Sequence, residues 1–473
     1  VKIAIVGGSA AGLFASLLLG RAGHDVVVLE QEGADPAPDI ESAAGAAFRA
    51  SAPQIVQPHV IMARCRLLLR QRMPDMHQAL LDAGVSEATL AMQMPASLSD
   101  RSPVPGDEQL TTMLTRRSTV DWVLQRAVLA EPAVRLRLGV RALGLIAKPG
   151  EPPHVVGLRT DDGELAADLV IDAAGRRSPF DRWLDDIGAQ PPATWWAECG
   201  IAYYSRHYRI RPGAELPGLP TTRIVAGLDE FTVGIWGADN GAMQLVVAPL
   251  ATDRRFRTLR HPAVFTAVLR TIPTYAAWLD VLDPITPIFQ MAGLHNTMRR
   301  LVVDGDPVVT GLHAIGDSVC TTNPSFGRGL SLALSGAADL LDVVERHADD
   351  CTAQARVLDG LVADHVVPFY EDQAMVDYAR LLMLRHTILN DPAPEPPPVH
   401  SGRVSFAQLR SAGLFDPIAF RGLSRVMGTV SVPHEVYTDP EVVASTQETL
   451  RQHGAVPWVD QPTREQLVAA LGQ

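Results

Sequence analysis

The sequence predicts a mixed α/β chain, α+β overall, in which a discontinuous parallel-sheet domain carries an inserted antiparallel sheet and ends in a helical C-terminal extension. Three observations predict it. Residues 2–30 read as strand, glycine turn, helix and strand; residues from about 195 to 250 change to alternating, aromatic-rich runs; and a late apolar strand near 307–317 leads to a glycine-opened helix. At 473 residues the chain exceeds the roughly 250–300 at which one core stops growing, so two or more lobes are expected.

In order, KIAIV at 2–6 is a short apolar run, GGSAAG a turn, LFASLLLGRAG a helical pattern and DVVVLE at 25–30 a β-rich run. Residues 54–90 read as loop and then helices, and another helix starts near Ser118. Strands follow at VRLRLGVRALGLIA and VVGLRT, with a turn at DDGE, and then the apolar run LVIDAAG at 169–175. IAYYSRHYRI, TRIVAG, FTVGIWG and AMQLVVAPL alternate as antiparallel strands. Helical patterns return at 262–282, a strand at PVVTGLHAIGD and a long helix from Gly329. The proline-rich DPAPEPPPV at 391–399 reads as a linker and residues 400–473 as helices, with no internal repeat.

Composition excludes several classes. The apolar fraction of 47% and charged fraction of 20% are those of a globular protein, and no stretch of 18 apolar residues offers a membrane span. With 41 basic and 53 acidic residues the net charge of −12 disfavours nucleic acid and anionic membranes as partners. The apolar start lacks a basic n-region and a small-residue cleavage site, so a cytoplasmic location is expected. Cys65, Cys199, Cys320 and Cys351 show no C-x-x-C and no paired histidines, which points to reduced thiols and to no metal site.

Gly7, Ser9 and Gly12 hold the three positions of G-x-G-x-x-G between a strand and a helix, with Ala11 in the same first turn. The first glycine permits the tight turn, the third permits close helix–strand packing, and the helix N-terminus offers amides to a pyrophosphate. Ser9 departs from the pattern. Glu30 ends the second strand 18 positions after Gly12, near the ~20 at which an acidic side chain accepts from a ribose hydroxyl. The alternative is an ordinary βαβ turn with a solvated glutamate. A second constellation, GLHAIGDSVCTTNPSFGRGLSLAL at 311–334, brings Asp317 into a turn, stiffens a loop at Asn323-Pro324 and opens a helix at Gly327 and Gly329. Such a helix start stabilises negative charge, as at the N1/C2=O edge of a reduced flavin.

With these residues the chain resembles the flavoprotein monooxygenases of the p-hydroxybenzoate hydroxylase fold. Their late G-D…P-x-x-G-x-G motif is matched by Gly316, Asp317, Pro324, Gly327 and Gly329. The resemblance implies a discontinuous, Rossmann-like FAD-binding domain of the GR2 type at 1–75, 100–185 and 285–390, and a substrate domain at 76–99 and 186–284. It implies that Asp317 binds the ribityl chain, that Pro324 lies near the isoalloxazine, and that the Gly329 and Leu330 amides face the pyrimidine edge. The middle motif reads Ile171-Asp172-Ala173-Ala174-Gly175-Arg176-Arg177-Ser178, with Ala174 where the family usually has aspartate. In this the chain is similar to an actinobacterial branch containing polyether epoxidases and relatives of flavin halogenases. Arg117 matches the arginine near the ribityl–phosphate region, and Arg49 to Gln54 resembles the loop bordering the isoalloxazine.

The resemblance implies an FAD-dependent monooxygenase, a hydroxylase or epoxidase, that uses a flavin C4a-hydroperoxide to insert one atom of molecular oxygen into an electron-rich aromatic or alkene substrate. NADH or NADPH is the implied reductant, directly or through a separate flavin reductase, and Ala174 puts direct handling in doubt. The work of the protein in such chemistry is positioning and exclusion of water, so a pocket is sought and no catalytic residue is assigned. Its candidates are Trp195, Trp196, Tyr203, Tyr204, Arg206, Phe231 and Trp236, with Phe289 and Met291. Only one face of each strand can line a cavity, so about half are core or solvent-facing. Arg206 is a candidate anion partner or an exposed cross-strand charge, and His59 and His313 are candidate proton carriers or satisfied buried histidines. No W-x-W-x-I-P segment is present, which argues against a tryptophan halogenase, and no Y-x-W-x-F-P-like motif marks a polyprenyl reductase. A flavin-linked dehydrogenase or oxidase, a halogenase relative and a non-catalytic flavin-binding partner are the alternatives.

Overall fold

In the computed structural model, residues 1–49, 52–219, 224–394 and 402–472 are described. Ala50 and Ser51 of the expected isoalloxazine loop, Thr222 and Arg223 of TRIVAG, and 395–399 of the proline-rich linker lie outside the described residues. In chain order, β1 (Lys2–Val6), α1 (Ala10–Arg21) and β2 (Asp25–Glu30) form the βαβ unit, and α2 (Arg117–Ala130) leads to β3 (Val134–Leu138) and β4 (Leu169–Asp172). The antiparallel insert holds β5 (Tyr203–Ile210), β6 (Ile224–Gly227), β7 (Phe231–Gly237), β8 (Ala242–Pro249), β9 (Leu282–Pro284) and β10 (Phe289–Met291). The chain returns through β11 (Leu312–Ala314), α3 (Gly329–Arg346) and α4 (Val367–Leu389). The fold class is the expected one: a parallel Rossmann-like sheet, antiparallel sheets and a helical C-terminus.

The parallel sheet has the order β11-β4-β1-β2-β3. The central strands β1 and β2 are apolar on both faces because both are covered, whereas the edge strand β3 alternates with Arg135 and Arg137. Ile3, Ile5, Val26 and Val28 join the core beneath α1, α2 and α3, whereas Ala4, Val6, Val27 and Leu29 join Trp183 and Phe180 in the opposite core. The run VRLRLGVRALGLIA divides at Gly139. Its first half is β3, and its second half, Ala142–Lys148, starts an antiparallel meander through His154–Thr160 and Gly163–Ala166 that packs over the second face. From β1 the chain moves to β2 on one side and later to β4 on the other, the switch point at which such sheets open a crevice.

The insert runs β6-β7-β8-β5-β9, with β10 also paired to β5. Its register sets Tyr204, Arg206 and Tyr208 in line with Val247, Leu245 and Met243. Tyr204, Tyr208 and these three residues belong to a core with Phe231, Val233, Ile235 and the helices Pro262–Arg270 and Pro273–Leu279. The pattern at 262–282 thus holds two helices, because Pro273 starts the second and cannot continue the first. The other face carries Tyr203, Ser205 and His207 with Val246 and Gln244, and it meets the parallel-sheet domain. Within 76–99, Met76, Leu80, Ala83 and Val85 join the core beneath α1.

A buried ion-pair network fixes the insert. Asp239, in the turn from β7 to β8, accepts from the Arg116 backbone N–H at 2.6 Å and its guanidinium at 2.6 and 3.0 Å, and from the Thr119 hydroxyl at 3.0 Å. Arg116 also meets Glu41 at 2.7 Å, and Glu41 meets Arg209 of β5 at 2.7 Å. Asp239 is fully buried and Arg116 nearly so. Asp239 therefore caps α2 from another lobe. Removing one partner of such a pair leaves an uncompensated charge, so Asp239→Ala is expected to cost about 3–5 kcal/mol, read as a lower urea midpoint at unchanged slope.

Candidate functional site

The glycines of the first turn are dictated by backbone contacts. Gly7 has φ +113°, and a Cβ there would lie 2.3 Å from the Ala173 carbonyl oxygen; a Cβ on Gly12 would lie 1.9 Å from the Gly7 carbonyl oxygen. Gly316, at φ +59°, would place a Cβ 2.7 Å from that of Ala11. Backbone contact therefore joins the first motif to the middle one, and the Gly316 backbone against the Ala11 Cβ joins it to the late one. The middle and late motifs are joined in turn by Asp172, which accepts from Ser178 at 2.6 Å and Ser318 at 2.8 Å, while Ser318 accepts from the Gly175 N–H at 2.8 Å. Burial raises the Asp172 pKa against these hydrogen bonds.

Ser9 is the N-cap of α1 but makes no capping bond; its hydroxyl accepts from Arg117 at 3.0 Å. Arg117, the first residue of α2 and buried, is oriented by Asp121 at 2.8 Å. The α1 amides thus lack a side-chain cap and stand beside a guanidinium, which suits an anion such as a pyrophosphate. Glu30 accepts from the Gly8 N–H and the Glu32 N–H, each at 2.9 Å, so its carboxylate is held at the turn where a ribose hydroxyl would lie.

Asp317 is half-buried, and its carboxylate takes no hydrogen bond among the described residues. Burial raises its pKa, opposed by the charges of Arg117 and Arg176. Arg176 has a buried Nη1 with no partner. These open polar groups, with the turn that no Cβ could enter, fit the ribityl and phosphate region of FAD. Beyond them, Pro324 starts a tight turn, Gly327 takes φ +69°, and α3 opens at Gly329 without a side-chain cap, with Leu330 buried behind it. Arg49 pairs with Glu32 at 3.4 Å at the end of β2, and Gln54 sits half-buried in the turn Pro53–Val56.

The loop before Pro324 is held by a network that sequence reasoning missed. Fully buried Asp377 of α4 accepts from Asn323 at 3.0 Å, Asn296 at 2.8 Å, Gln373 at 3.0 Å and Arg380 at 2.6 Å. Tyr203 donates its hydroxyl to Asn323 Oδ1, so this pocket candidate is committed to the loop. Arg328 is fully buried between Phe326 and Phe369, pairs with Asp372 at 2.5 Å, and Tyr437 donates to the same carboxylate at 2.6 Å.

Of the other pocket candidates, Trp236 lies on the site face over Gly234, where a Cβ would fall 2.4 Å from the indole. Phe289 packs on Ala52, Ile55 and Val56 and meets the His207 ring at 6.4 Å, and Met291 is buried beside Tyr203. Arg206 is a correction: strand alternation turns it to the opposite face, where it donates to the Thr286 carbonyl at 2.9 Å and lies over Tyr208. Tyr204 and Phe231 share that opposite core, and Trp195 and Trp196 are exposed on a separate strand, Ala193–Glu198. His59 Nδ1 is bonded to the Gln57 carbonyl at 2.8 Å, and His313 to Gln354 at 3.3 Å; burial pushes both pKa values down to about 4. Ser205 and His207 on the site face, and Gln57 opposite them, were not singled out from sequence; period-2 alternation names sets like the first two but not which of them faces a site.

No family model matches the chain. It is 27% identical over 368 residues, 71% of each chain, to Protein Rv3254 of Mycobacterium tuberculosis. Similar solved structures include PqsL, a probable FAD-dependent monooxygenase from Pseudomonas aeruginosa, at 15% identity and TM-score 0.57 over 82% of this chain and 97% of that one. The flavin-dependent brominase Bmp2 aligns at 15% identity and TM-score 0.63 over 96% and 99%. A flavoprotein/dehydrogenase from Cytophaga hutchinsonii aligns at 12% and 0.62 over 96% and 99%. The chain shares the fold of these proteins.

Two outcomes follow from this geometry. Gly316→Ala forces a side chain into Ala11 at positive φ and is expected to lower stability by about 2–4 kcal/mol, whereas Gly336→Ala, which meets nothing within 4 Å inside α3, is neutral or stabilising by up to ~1 kcal/mol in denaturation. A carboxyl whose folded pKa is raised contributes stability below its unfolded pKa, and that contribution is lost as pH rises through the folded value. In ligand-free protein Asp317→Asn is therefore more stable than the parent at pH 7, and the gain disappears in acid.

Proposed function

We propose that the chain is an FAD-dependent monooxygenase that inserts one oxygen atom into an electron-rich aromatic or alkene substrate. What carries the reading is the meeting of three motif loops at one place, with two helix N-termini free of side-chain caps and the partnerless carboxylate of Asp317. An ordinary βαβ turn needs none of this. When bound, FAD would supply the redox chemistry, with electrons that originate in reduced nicotinamide and with dioxygen as the oxidant.

The residues divide the work. The α1 amides and Arg117 bind the pyrophosphate, and Glu30 accepts from the adenosine ribose. Asp317 accepts from the ribityl hydroxyls, and the first amides of α3 oppose negative charge on the pyrimidine edge. The Asn323–Asp377 network holds the Pro324 loop, and the insert's site face, with Trp236 and Phe289, orients the substrate and keeps water away. NADH or NADPH is the reductant, and Ala174, in place of the usual aspartate, favours delivery through a separate flavin reductase, as in the epoxidase-like branch.

The purified protein is expected to hold one FAD, to bleach under anaerobic NADH or NADPH only slowly unless a reductase is added, and to yield a product heavier by one oxygen atom when air is admitted with substrate. Failure to take up FAD sinks the flavoenzyme reading. Reoxidation without an oxygenated product replaces monooxygenation with a dehydrogenase or oxidase, and a halide-dependent halogenated product replaces it with a halogenase.

A further inference from the structure

Where the insert's site face meets the parallel-sheet domain, one buried polar group from each side is left unsatisfied by the packing. Gln57 is 2% exposed; its amide oxygen accepts from the Ser205 hydroxyl at 2.8 Å, and its amide nitrogen has no partner among the described residues. His207, the residue after Ser205 on the same face of β5, is 6% exposed, and its buried Nε2 has no partner among the described residues. Leaving such atoms unpaired costs on the order of 1–3 kcal/mol each, a cost that a hydrogen-bonding group entering here would remove. Phe289, edge-on to His207, supplies an apolar wall beside it.

The charges around this pair are already matched. Arg116 is held by Asp239 and Glu41, Arg209 by Glu41, and Arg117 by Asp121 and Ser9. Arg206 points away. His207 itself is neutral at working pH, since burial pushes its pKa down to about 4, with Arg116 and His59 adding to the effect and Asp239 opposing it. His59 is likewise neutral, its Nδ1 engaged by the Gln57 carbonyl. An anionic group entering here would lose its water without meeting a free cation.

We infer that His207 and Gln57 form the subsite that recognises the substrate's uncharged hydrogen-bonding group, a carbonyl, amide or hydroxyl oxygen, and that this subsite rejects a carboxylate in the same place. The inference rests on the monooxygenase reading for the word substrate. Binding itself is measurable without turnover.

The probes are 4-hydroxybenzamide and 4-hydroxybenzoate, nearly isosteric and differing in charge, titrated into FAD-loaded protein and followed by flavin absorbance and tryptophan fluorescence. The amide is expected to bind at least about tenfold more tightly, the equivalent of one net hydrogen bond. His207→Phe and Gln57→Leu each lose about tenfold for the amide and nothing for the carboxylate, His207→Gln keeps its affinity within about threefold, and Arg206→Ala changes neither. Equal or tighter binding of the carboxylate, no saturable binding of the amide, or unchanged amide affinity in His207→Phe and Gln57→Leu overturns the inference. Should His207→Phe fail to fold, Gln57→Leu and His207→Gln decide it. Absence of FAD from the parent protein counts against the flavoenzyme reading alone, because the fluorescence titration still decides the subsite.

Discussion

The candidate site depends on one constraint: backbone must touch backbone where its loops meet. At Gly12 and Gly7 the first turn of α1 lies so close to the strand end that no side chain fits between them, and at Gly7 and Ala173 the same turn lies against the end of β4. Gly316 against Ala11 brings in the late motif. These approaches set the α1 N-terminus, the Asp317 loop and the α3 N-terminus around one crevice at the switch point of the sheet. With atoms packed as in a crystal, a methyl at any of the three positions moves a whole loop rather than one side chain.

Much of this was legible in the sequence, for a physical reason. Strand, turn and helix are short-range objects, and the need for glycine at Gly7 and Gly12 is local, so the βαβ unit and its fingerprint are readable within residues 2–30. The late motif was readable because its glycines again open a helix. Less legible were partnerships that span the chain. Asp239 caps α2 from 123 residues away, and Asp377 collects donors from Asn296 and Asn323 on other elements. No periodicity marks such a carboxylate. Arg206 shows the further limit: alternation separates it from Ser205 and His207, but which face meets the parallel-sheet domain is decided by Gln57, Gln244 and Asn323.

The polar interior divides by purpose. The Asp239 and Asp377 clusters are well supplied with donors and hold lobes and loops in register, which is the best-supported use of buried charge. Around the crevice Asp317, Arg176 Nη1, Gln57 Nε2 and His207 Nε2 stand without partners among the described residues, as do scattered buried atoms elsewhere such as Trp183 Nε1 and Thr446 Oγ1. A folded chain keeps a few such groups where a ligand completes them, and consistency between local and global preferences is expected to fail there first.

Arg328 sits inside the late motif yet turns from the crevice to Phe369, Asp372 and, through Asp372, Tyr437. The loop that carries Pro324 is thus anchored partly by Tyr437, in the helix Pro433–Thr438 of the C-terminal extension. During synthesis the first glycine turn emerges long before Tyr437, which anchors that loop through Asp372. Domains that fold as they are made acquire their sites early. Here the first glycine turn is made well before the residue that completes the hold on the Pro324 loop.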